Sequence, residues 1–134
     1  MNTRALMTLS AAFMAALGVG ITFLPQELLA HVGAPLEGTL VLLIQMLGAL
    51  YLGFAMLNWM NRGSHIGGIY GRPVSMANFF SFAVGALALV KGAIAQRFAI
   101  EVSAMAAIYS VFAIWFGLVL FTHPANVAPK RTDR

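Results

Sequence analysis

The sequence predicts an all-α integral membrane protein, a bundle of four transmembrane helices forming one domain over residues 1–134. Three observations carry that expectation. The chain of 134 residues is 60% hydrophobic and only 9% charged, against about 25% charged in a soluble domain. Its mean hydropathy is +0.86. Its charges divide it into four long neutral windows, 5–24, 38–61, 73–90 and 102–122, each close to the ~20 apolar residues that cross ~30 Å of hydrocarbon as a helix. A helix is required because an isolated strand leaves its backbone groups unpaired in lipid.

The first window follows Arg4. Its length exceeds the apolar core of a secretory signal, about 7–15 residues, so it is expected to remain in the membrane as span one. Pro25 ends it, and PQELLAHVG (25–33) reads as a short amphipathic stretch at the outer interface with Glu27 and His31 one helical turn apart. Gly33 and Pro35 then break the chain before span two, which runs inward to Trp59, an interfacial anchor. The connector RGSHIGGIYGRP (62–73) follows, with Pro73 suited to open span three because its missing N–H has no helical acceptor there. KGAIAQRFAIE (91–101) is so short an outer connector that spans three and four must form an antiparallel hairpin, with Lys91 snorkelling outward and Arg97 near Glu101.

Charge sets the expected orientation. With both termini in the cytoplasm, Arg4, Arg62, Arg72, Lys130, Arg131 and Arg134 lie inside and only Lys91 and Arg97 outside, the asymmetry that short loops favour. The net charge of +4 then describes a membrane face that attracts anionic lipid and carries no nucleic-acid signal. The chain has no cysteine, which excludes disulfides, thiol catalysis and thiolate metal sites.

Small residues recur at helical steps: Ser81, Gly85, Ala88 and Gly92 in span three, and Ala106, Ser110, Ala113 and Gly117 in span four. Span one offers Ala12, Ala16 and Gly20, and span two Ala49 with Gly53. Such stripes let helices approach closely in lipid, and a compact bundle is expected more than a pore.

No Asp, Glu, Lys, Arg or His lies deep in any window, although such residues ordinarily mark ion and proton paths in membranes. The buried polar candidates are neutral: Gln45, Asn58, Asn78, Ser81, Tyr109 and Ser110, with interhelical hydrogen bonding as their default role. The three histidines sit at the interfaces and build no haem or metal site; Glu27, His31, Glu37 and Glu101 are the alternative ligand set at the outer face.

The strongest candidate site is the inner connector. Gly67, Gly68 and Gly71 permit conformations closed to other residues, and Arg62 and Arg72 carry guanidinium groups suited to phosphate. The positive end of span three begins beside them. His65, and Asn58 and Asn78 from the adjoining spans, complete a set that suits a lipid headgroup, a phosphate or a carboxylate. The competing reading is a tight connector whose arginines only enforce topology.

The run from Gln45 to Lys91, QMLGALYLGFAMLNWMNRGSHIGGIYGRPVSMANFFSFAVGALALVK, resembles a pattern found in small four-helix bacterial membrane proteins. In size and topology the chain also resembles the DoxX-like group. That resemblance implies a four-helix fold in a bacterial inner membrane and, by analogy with some members, association with a membrane oxidoreductase complex; it carries over no catalytic residue and no cofactor. The expected function is non-enzymatic: binding of lipid or a hydrophobic ligand, or service as an accessory subunit or homo-oligomer. A small membrane enzyme acting on an amphipathic substrate, and a transporter of a neutral or amphipathic solute, are the alternatives.

Overall fold

The computed structural model of the chain describes residues 2–63, 71–95 and 100–122. Among them are five helices and no strand: α1 (Thr3–Phe23), α2 (Pro25–His31), α3 (Gly38–Asn61), α4 (Arg72–Ala95) and α5 (Ile100–Thr122). Helices α1, α3, α4 and α5, of 21, 24, 24 and 23 residues, are long and apolar enough to cross a membrane. At ~1.5 Å per residue each covers roughly 31–36 Å, the thickness of the hydrocarbon layer with a small excess. Five of the expected boundaries shift, the start of α4 by a single residue to Arg72. Helix α1 starts and ends slightly earlier than 5–24, and α5 begins at Ile100. Helix α4 runs five residues past the expected end at 90 and carries Lys91 inside its last turns. A lysine near a membrane surface extends its stem along the helix and keeps its ammonium in water, so its charge does not end the helix.

The chain divides into two compact units, with the boundary between Ser64 and His65. In the first, α1 packs along α3 while the short α2 touches both; in the second, α4 packs along α5.

Helix α1 opens on Asn2, whose side-chain oxygen accepts a bond from the Ala5 amide at 3.1 Å and so supplies one otherwise unpaired N–H of the first turn. It closes at Leu24, whose amide reaches Gly20 O at 2.9 Å, and Pro25 begins α2 in the position where its missing N–H costs least. Helix α2 ends in a left-handed cap. Gly33 has φ +67°, its amide bonds Ala30 O at 3.1 Å, and the Ala34 amide bonds Leu29 O at 2.9 Å, the paired bonds of a Schellman motif. This cap turns the chain into α3, whose Glu37 carbonyl receives the Val41 amide at 3.0 Å.

The first hairpin is held by close backbone approach. Met7, Ala11, Met14 and Gly18 form the buried face of α1, and Gly48, Ala55 and Asn58 that of α3. A side-chain carbon placed on Gly18 would lie 2.8–2.9 Å from Leu52, and one on Gly48 would meet the Thr22 hydroxyl and lie 2.8 Å from the Thr22 amide nitrogen. Only glycine lets the two backbones meet there. The stripes expected from sequence lie beside these contacts. Ala12, Ala16, Ala49 and Gly53 are exposed, and nothing stands within 4 Å of a carbon placed on Gly20 or Gly53.

The second hairpin is held by aromatic rings. Phe82 on α4 is fully buried. It stacks on Phe112 and Phe116 with centroids at 4.8 and 5.8 Å and meets Tyr109 edge-on at 5.3 Å. Gly85 gives the Tyr109 ring its place, because an added carbon would lie 2.7 Å from it. On α5 the expected small residues Ala106, Ala113 and Gly117 are buried, whereas on α4 the buried line is Ser75, Asn78, Phe82, Ala86 and Ala93. Ala88 of the expected α4 stripe faces outward.

Candidate functional site

The neutral polar residues of the first hairpin join its two helices. Asn58, fully buried on α3, donates from Nδ2 to the Ser10 hydroxyl on α1 at 3.1 Å, and Ser10 donates in turn to the Met7 carbonyl at 3.1 Å. The same amide approaches the Met14 sulfur at 3.8 Å. Toward the other end Gln45 donates to the Thr22 carbonyl at 3.4 Å. In lipid no water competes for these groups, so the interhelical role expected for Asn58 and Gln45 is the one seen.

In the second hairpin several polar residues bond within their own helix. Ser75 donates to Gly71 O at 3.2 Å, Asn78 to Val74 O at 2.9 Å and Ser110 to Ala106 O at 2.7 Å. Each of these bonds returns to the residue's own helix one turn back, the usual way a hydroxyl or amide is accommodated inside an apolar helix. Ser75 and Asn78 are both buried.

The residues expected to form the inner-connector site are distributed as follows. Arg62 ends α3; its guanidinium lies 3.8 Å from the centroid of the Trp59 ring and donates to the Trp59 carbonyl at 2.6 Å. Gly71 is buried and accepts the first amide bond of α4, from Ser75 at 3.1 Å. Arg72 is the exposed first residue of α4, with Pro73 behind it. Asn58 belongs to the first hairpin and Asn78 to the second, each bonded as above. His65, Gly67 and Gly68 lie outside the described residues, as do Arg97, His123 and the basic C-terminal residues. Among the described residues no three His, Asp or Glu side chains lie close enough to share a metal ion; Glu27 and His31, at opposite ends of α2, are both exposed.

A feature not foreseen from sequence is a groove of about 410 Å³ along the first hairpin, floored by Ala11, Ala12 and Ala15 of α1 and walled by Leu52, Ala55, Met56 and Trp59 of α3. Its volume lies within the ~300–1,000 Å³ of ordinary ligand pockets. The lining is almost wholly apolar, with Trp59 at the end where Arg62 stacks. The alanines are the cause: three short side chains in a row on α1 leave a trough that the longer α3 residues border without filling. The run SAAFMAA (10–16) carries that signal, though Ala12 and Ala16 read equally well as a close-packing edge.

No protein-family model, no curated protein and no solved structure matches the chain.

Proposed function

We propose that this chain is a non-enzymatic integral protein of a bacterial inner membrane that binds a lipid or another hydrophobic ligand against its first hairpin, alone or as an accessory subunit of a membrane complex. The observation that supports the reading is the alanine-floored groove between α1 and α3. Its lining is apolar and runs over about two turns of α3, from Leu52 to Trp59, which suits part of a hydrocarbon chain. The polar side chains near it support the same reading, since Asn58 and Ser10 bond each other. The resemblance of residues 45–91 to a pattern in small four-helix bacterial membrane proteins, the likeness of the chain to the DoxX-like group in size and topology, and an excess of basic residues that favours cytoplasmic termini agree with the proposal.

Native mass spectrometry of the protein released from mild detergent tests it. A bound lipid or apolar small molecule is expected on the wild type and is lost when the groove is filled by Ala12→Leu with Ala15→Leu. A wild-type protein that carries no ligand and no partner overturns the reading.

A further inference from the structure

We infer that the first hairpin is a seat for an anionic diacyl phospholipid, with one acyl chain in the alanine-floored groove and the phosphate between Arg4 and Arg62. This rests on the reading above and names its ligand. The register of the hairpin brings the two arginines to one end. Ser10 bonds Asn58, Gly18 meets Leu52 and Thr22 meets Gly48, so α1 and α3 run antiparallel. Arg4 lies six residues before Ser10 and Arg62 four residues after Asn58. Their positions along the hairpin axis therefore differ by only about 3 Å at 1.5 Å per residue.

Three properties make that end suited to a phosphate diester with net negative charge. Arg62 is pinned by its stacking on Trp59, which is itself a wall of the groove. Its bond to the Trp59 carbonyl uses one of five guanidinium donors, and the fork geometry suits phosphate oxygens. Arg4 lines a second recess of about 380 Å³ with Asn2, Ala5, Thr8 and Leu9, all of α1 and its cap, one helical turn from Ala11 and Ala12. The hairpin's two carboxylates, Glu27 and Glu37, lie at its other end on and beyond α2, so no acid opposes the arginines within this unit. Charge, depth and direction agree: an interfacial tryptophan and two cations at the mouth, and a trough running from them toward the middle of the membrane.

The experiment is native mass spectrometry and a lipid-exchange titration of the full chain in mild detergent, with equimolar phosphatidylglycerol and phosphatidylcholine of the same chains. The wild type is expected to retain phosphatidylglycerol with a preference of roughly tenfold or more, the scale set by two arginines near an anionic lipid. Arg4→Gln with Arg62→Gln is expected to abolish the preference, and Arg62→Lys to keep most of it. Ala12→Leu with Ala15→Leu is expected to remove the lipid while thermal melting shows the fold intact; both positions are at least partly exposed. Equal retention of the two lipids, unmoved by the arginine variants but lost on filling the groove, overturns this inference and leaves the hydrophobic-ligand reading standing. No retained lipid of either kind overturns both. A groove variant that leaves lipid binding intact but dissociates a dimer assigns the groove to a second copy of the chain and also overturns the inference.

Discussion

At the scale of single residues, the glycines of the first hairpin separate into two classes that composition does not distinguish. Gly48 sits against backbone atoms of Thr22, which cannot move aside as a side chain can, whereas Gly53 has open space around it. Gly48→Ala is therefore expected to destabilise the hairpin by about 1–3 kcal/mol, the range for overpacking, and Gly53→Ala to leave it unchanged or slightly steadier. Thermal melting in detergent with a helicity readout compares the two directly; equal melting would contradict the assigned contact. The Asn58–Ser10 bond is open to a double-mutant cycle with Asn58→Ala and Ser10→Ala. The coupling expected is about 0.6 kcal/mol and below ~2, as for other hydrogen bonds between membrane helices, and a coupling of zero would mean that Asn58 serves another partner.

At the scale of elements, the two hairpins are built on different principles. Backbone contact and polar bonds join α1 to α3, while Phe82 and the rings of Tyr109, Phe112 and Phe116 join α4 to α5. Phe82→Ala is expected to cost about 3–5 kcal/mol, as for a large ring removed from a packed core, and to release Tyr109 from its edge contact. Loss of the near-ultraviolet circular dichroism of the rings with helicity retained is the expected signature. The ends of the elements were largely legible in the sequence because charges and prolines mark them: Arg4, Pro25, Gly33 and Pro73 all stand where helices begin or end. The facing sides were not. Helix α3 carries Gln45 and Asn58 as polar markers in an otherwise apolar span, and by small-residue spacing alone Ala49–Gly53 looks as good a packing edge as Gly48–Ala55. What selects the second pair is the approach of Gly48 to Thr22, a fact of two helices together that neither sequence segment carries alone. The groove escaped for the same reason, since its alanines read equally well as contact residues.

At the scale of the whole molecule, the four long helices identify an integral membrane protein by length and composition, and the proposed orientation follows from the basic residues. Because the chain contains no cysteine, single cysteines report sidedness without a background. Gly38→Cys and Gly63→Cys stand at opposite ends of α3 with no atom within 4 Å of the added carbon. An impermeant maleimide applied to whole cells is expected to label Gly38→Cys at once and Gly63→Cys only after the membrane is opened; the reverse pattern would invert the topology.

The groove lies between two interhelical ties, Asn58 to Ser10 near one end and Gln45 to Thr22 toward the other, with the Gly18 and Gly48 contacts between it and the second tie. Together with the close backbone contacts at Gly18 and Gly48, the two ties oppose scissoring and sliding in register. The trough is therefore preorganised, and a hydrocarbon chain settling into it loses its own freedom without taking any from the protein. Under the proposed reading, retention in the trough is then governed by the ligand's own contacts and lost freedom, with little ordering cost on the protein side.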